Sequence, residues 1–178
     1  MTADGGEIIE LAGRLMPTDP SLMEEVRLAV VSADEYVGRF QERLSDRGID
    51  EPRSDLPWIA LVNGLENRGR LRELGKKEAA EDIARKIDND LLPDRPVRPD
   101  RWAFLAEELN LWEAVPSESL PVIAAHLVKE GLAVVTLDTD SDGYPIMVLP
   151  VDQVGECRRL AELAGYSITD WCDPPAAG

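Results

Sequence analysis

The sequence has little of what most catalytic or membrane-anchoring mechanisms require. It carries one histidine and two cysteines in 178 residues. His126, within "PVIAAHLVKEG", cannot alone build a multi-histidine zinc site. No G-x-S-x-G elbow accompanies it, and phosphate-loop and dinucleotide glycine patterns are also missing. A lone histidine beside apolar helix positions reads as a half-buried structural residue. Cys157 and Cys172 form no C-x-x-C pair and are too few for a disulfide framework, so they read as free thiols in a reducing compartment. Nothing approaches the roughly 18 consecutive apolar residues of a membrane span, and "MTADGGEIIELAGRLM" lacks a basic start followed by an apolar run. A soluble, cytoplasmic protein without a membrane partner is expected.

Positive charge is also scarce, with 19 Lys and Arg against 35 Asp and Glu and a formal net charge of −16. Residues 1–98 hold 15 basic and 21 acidic residues, whereas residues 99–178 hold 4 and 14, so the second part has most of the excess. Such a field repels phosphate backbones and argues against nucleic-acid binding. It suits a basic protein partner, or simple solubility.

What remains is an ordinary globular composition, 44% hydrophobic and 30% charged. Apolar residues at 22, 26, 30, 37, 40 and 44 recur near helical spacing. Pro20 and Ser21 start that pattern and Gly48 stops it, predicting one long amphipathic helix over 21–48. "GEIIELAGRLM" before it predicts a shorter helix and hence an N-terminal helical hairpin over 1–50. In 51–178, "LPWIALVNGLENRG" and "KKEAAEDIARKIDNDLL" read as helices. "GRLRELG" fits either a short edge strand or a helical continuation. Prolines 93, 96 and 99 force an extended linker over 93–100.

Beyond the linker, Trp102, Leu105, Leu109 and Trp112 fall on one predicted helical stripe, and "SLPVIAAHLVKEG" makes a second helix. "LAVVTL" and "YPIMVLP" are short and rich in β-branched residues, predicting a hairpin of strands at 132–138 and 144–149. "VDQVGECRRLAELAG" is helical, and "YSITDW" suits a last strand. The fold class is therefore α+β, with helices on a small antiparallel sheet of 3–4 strands. Residues 51–178 would form the α+β domain, in one compact unit with the hairpin.

The loop between those strands, "DTDSDG", matches the opening of a calcium loop, in which Asp138, Asp140 and Asp142 would supply oxygens. Leu149 stands where such a loop needs a bidentate glutamate, and both flanks read as strand, so calcium would need another donor such as Asp152. The alternative is a plain turn, with Asp bonding its own backbone and Gly143 adopting positive φ. A turn does not need three mutually repelling carboxylates. A counter-charge is available in "RGRLRELGKK", where Arg68, Arg70, Arg72, Lys76 and Lys77 gather. Packed near the hairpin tip they would neutralise it; facing away they would form a partner-binding patch.

Glu107, Glu108, Asp138 and Asp140 could supply acid/base pairs, but chance pairs abound in so acidic a chain. No catalytic residue and no cofactor is assigned. Trp58, Trp102 and Trp112 read most simply as core, although an exposed one would serve as an interface anchor.

Two segments, residues 58–87 and "GLAVVTLDTDSDGYPIMVLP" at 131–150, together resemble an uncharacterised bacterial domain-of-unknown-function family. In that family a helix and an "ELDWK"-like stretch precede a strand, a "DSDxYP" turn and a strand. The resemblance spans roughly 55–168, and Ser141, Asp142, Tyr144 and Pro145 carry its most specific piece. Here "ELGKKE" replaces the "ELDWK"-like stretch. The resemblance implies an α+β fold and favours "RLREL" as a strand. Related-looking acidic domains are often immunity or regulatory proteins, by analogy only. A non-catalytic interaction protein that engages a basic partner, Tyr144 among its contacts, is the leading expectation. A divalent-cation protein and an acid/base or metal-assisted hydrolase are the alternatives.

Overall fold

The computed structural model describes residues 5–92, 100–109 and 114–173. It divides into two compact units, one formed by Met1–Asn67 with Glu156–Ser167, the other by Arg68–Gly155 with Ile168–Gly178.

The first unit is helical. Helix α1 (Gly6–Leu15) buries Ile8, Leu11, Ala12 and Leu15, one stripe at i, i+3, i+4 and i+7. Helix α2 (Pro20–Val31) starts where the Asp19 carboxylate accepts the Ser21 amide at 3.0 Å and Pro20 occupies the first turn. The long helix expected over 21–48 is instead three. After α2 the chain bends at Ser32 (φ −140°, ψ 66°) into α3 (Ala33–Arg39), then turns at Phe40 into α4 (Gln41–Ser45). The bends let Tyr36, Val37 and Leu44 join Ala29, Ile49, Leu56 and Ile59 in one cluster. Helix α5 (Leu56–Asn67) is buried at every position from Trp58 to Leu65. Each fully buried leucine here contributes roughly 2 kcal/mol relative to exposure.

The second unit is the α+β part. Among the described residues, four strands form an antiparallel sheet in the order β1-β3-β2-β4. These are β1 (Arg72–Leu74), β2 (Leu132–Leu137), β3 (Tyr144–Pro150) and β4 (Ile168–Asp170). "RLREL" is thus a strand, at the edge. Helix α6 (Ala80–Lys86) runs into a π-helical turn at Ile87–Leu91, and α8 (Pro116–Leu127) packs on β2. Ile83, Ile87, Leu120, Ile123, Leu132, Val134 and Ile146 share one core with Leu74.

The stripe expected from Trp102 to Trp112 is not one helix. Among the described residues of this stretch only Leu105–Glu108 (α7) is α-helical, and Leu109 is already extended (φ −125°, ψ 144°). Trp112 and linker residues 93–99 lie outside the described residues. Helix α9 (Val151–Leu163) follows β3 directly and leads to β4. No described helix is long and apolar enough to cross a membrane.

Trp102 belongs to a buried polar network. Arg101, its side chain 4% exposed, is held by Asp88 and by Glu130 at 3.1 Å, and the Trp102 indole also donates to Asp88. The π turn is what carries Asp88, together with Asp90, which accepts from Arg72 at 2.9 Å. Asp88 and Asp90 therefore tie the start of α7 and strand β1 to one turn of chain.

Candidate functional site

Strand β1 pairs with β3 in the register Arg72↔Ile146, Glu73↔Pro145 and Leu74↔Tyr144. Continued past the last pair, that register brings Gly75 opposite Gly143 and Lys76 opposite Asp142. Lys76 Nζ indeed lies 2.6 Å from Asp142 Oδ1. The hairpin tip thus receives its counter-charge from the basic segment.

Within the loop, Asp138 Oδ1 accepts the Asp140 amide at 3.2 Å, the Asp-to-backbone turn expected. The glycine does something else. Asp140, with φ 52°, takes the left-handed conformation expected of Gly143, which is absent from the positive-φ positions. Asp tolerates that region better than most side chains. What Gly143 supplies is closeness, since a Cβ there would meet the Leu74 carbonyl oxygen at 2.9 Å and Glu73 Oε1 at 2.6 Å. Ser141 knits the turn, accepting from Thr139 Oγ1 at 2.9 Å and donating to Glu73 Oε1 at 3.4 Å.

Beside the tip lies a cavity of about 340 Å³. Asp138, Asp142 and Lys76 are its charged walls; Tyr144, Pro145 and Trp171 are its apolar ones. The Tyr144 and Trp171 rings stand 6.0 Å apart at 59°. The Trp171 indole N–H donates to Thr136 Oγ1 at 2.7 Å, fixing the ring while consuming its one polar donor. Strand β4 pairs with β2 (Thr136↔Thr169) and so delivers Trp171 to this place. Burial and then the nearby Asp170 raise the Cys172 thiol above its ordinary pKa.

Such walls suit a cation. Aromatic faces and carboxylates attract it together, and the threonine and serine hydroxyls around them can hydrogen-bond a side chain or backbone.

The other anticipated residues are dispersed. Of the basic cluster, Lys76 lines the cavity and Arg72 is engaged with Asp90, while Arg70 and Lys77 are exposed and Arg68 is half-buried. Among the described residues no group of three or more His, Cys, Asp or Glu is placed to hold a metal ion. Glu108 meets His126 Nε2 at 2.8 Å, and the imidazole stacks on Phe104 with centroids 3.4 Å apart. Trp58 is buried and stacks on Tyr166 at 4.6 Å. Both cysteines are free, Cys157 buried and Cys172 exposed. Trp171 and Thr136 escaped the sequence reading, because nothing local in "YSITDW" says that it pairs beside the hairpin.

A family model described as "Domain of unknown function (DUF6630)" matches residues 7–171. The chain belongs to this family. The DUF6630 match begins in α1 and ends at Trp171, so it takes in both units and the whole cavity wall, beyond the 55–168 expected. The strand, "DSDGYP" turn and strand read from the sequence are the β2–β3 hairpin, in which Asp142, Tyr144 and Pro145 line the cavity. No curated protein and no solved structure matches the chain.

Proposed function

We propose that this protein is a non-catalytic cytoplasmic interaction factor, of the immunity or regulatory type, that docks a basic segment of a protein partner in the cavity at the hairpin tip. The observation that carries this reading is the cavity itself, where two carboxylates and two aromatic rings converge on a space of about 340 Å³. Charge complementarity selects the partner. The chain carries −16 overall, and Glu73, Asp138, Asp140, Asp142 and Asp170 all lie on the tip or on the strand ends beside it. Fields of this sign accelerate encounter with a basic surface, and a walled groove adds register. A single histidine and no nucleophile motif favour binding over catalysis.

The test is calorimetric titration with a hexa-arginine peptide of the wild type, Asp138→Asn and Asp152→Asn. Asparagine at 138 keeps the oxygen that accepts the Asp140 amide. Asp152 lies in the first turn of α9, past the far end of β3 and roughly 20 Å from the tip. Weakening by about threefold or more for Asp138→Asn, with under about twofold for Asp152→Asn, is expected. Equal weakening by both would reduce the binding to a diffuse acidic field and overturn the reading.

A further inference from the structure

We propose that the cavity at the hairpin tip takes an arginine side chain of the partner, which enters by displacing Lys76 from Asp142. This rests on the docking reading above and names both its anchor and its restraint.

Three observations converge. Lys76 reaches the cavity because the β1–β3 register delivers it there, one ammonium already seated against Asp142 at 2.6 Å. The chain thereby fills, with its own side chain, the charge position that a partner's cation would take. That contact is weak by construction, because the two side chains are 60% and 92% exposed, and an exposed pair of this kind is readily replaced.

The third observation discriminates between cations. Trp171 has its indole N–H committed to Thr136, so it offers a visitor its ring rather than a donor. Tyr144 tilts against it at 59°, which leaves an angled aromatic wall beside the carboxylates of Asp138 and Asp142. A planar guanidinium can stack on such a wall and fork onto a carboxylate at once; a compact ammonium cannot do both. Lys76 is therefore an inferior occupant, suited to being replaced.

The experiment titrates hexa-arginine and hexa-lysine, which carry equal charge, into the wild type, Lys76→Met and Lys77→Met. Lys77 is exposed one residue further along and loses the same charge on substitution. The wild type should bind hexa-arginine about threefold or more tightly over hexa-lysine. Lys76→Met should tighten hexa-arginine by about two- to fivefold, with a smaller change for Lys77→Met. No discrimination between the peptides, or equal effects of the two lysine variants, overturns the proposal. If Asp138→Asn still weakens binding selectively in that case, docking at the cavity stands and only the arginine exchange falls. If Asp138→Asn and Asp152→Asn behave alike, both fall together.

Discussion

Gly143 sits so close to Leu74 that a Cβ on it would come within 2.9 Å of the Leu74 carbonyl oxygen. The Glu73 carboxylate, also in the way, can swing aside; the backbone oxygen cannot. Gly143→Ala must therefore push β1 off β3. We expect a loss of about 1–3 kcal/mol in urea unfolding followed by circular dichroism. An unchanged midpoint would mean that the strands are not held this tightly.

Asp140 makes the complementary case. It occupies φ 52°, a conformation that costs an L-residue roughly 1–2 kcal/mol unless its side chain is tolerant. Asp140→Gly should leave stability unchanged or raise it by a few tenths of a kcal/mol, whereas Asp140→Val should lower it by about 1–2 kcal/mol. The same unfolding assay ranks the three proteins, and a valine variant as stable as wild type would refute the strain.

Arg101 is nearly enclosed between Asp88 and Glu130. Arg101→Met removes the cation and leaves both carboxylates without it in a poorly solvated place. A loss of about 3–5 kcal/mol is expected, read as a clear fall in thermal midpoint. Arg101→Lys should recover only part of it, because one ammonium cannot reproduce the fork that grips two acids.

Burial pushes the Cys157 thiol up to about 11. The folded form therefore holds its proton more tightly than the unfolded chain. Stability from this group is fully present below the unfolded pKa near 9 and is lost as pH rises through about 11, by roughly 2–3 kcal/mol. Burial raises Tyr166 in the same sense, so Cys157→Ala is needed to separate the two. Cys172, being exposed, should take up a thiol reagent at pH 8 long before Cys157 does. Two equivalents labelled at one rate would contradict the burial.

Much of this fold was legible in the sequence, for identifiable reasons. Strands β2 and β3 announce themselves as β-branched runs of the right length, and Leu74 marks β1 once the family resemblance tips "RLREL" toward strand. The bend at Ser32 is hidden in the sequence because the apolar spacing from Val30 to Val37 is still helical across it. A signal existed in Ser32 followed three residues later by Glu35, the pattern of a helix start, although no side-chain cap bond forms there. Of the candidate cavity's lining, Asp138, Asp142, Lys76 and Tyr144 are singled out by the sequence. Trp171 is not, because its position depends on β4 pairing with β2 across more than 30 residues of chain, a non-local event that leaves no trace in local spacing.

Helix α9 begins in the unit that holds the sheet and ends in the helical one, after which β4 returns to the sheet. Neither unit is a single stretch of sequence. A gene cut after Asn67 would give a helical fragment without its 156–167 segment and a remainder still carrying that segment as a surplus. Expressing the halves separately should yield two insoluble products, and recombination between relatives would have to exchange two segments at once. The helical unit cannot be moved as one contiguous piece, whereas the whole cavity wall lies within residues 68–178 and can be moved only with the 156–167 segment attached.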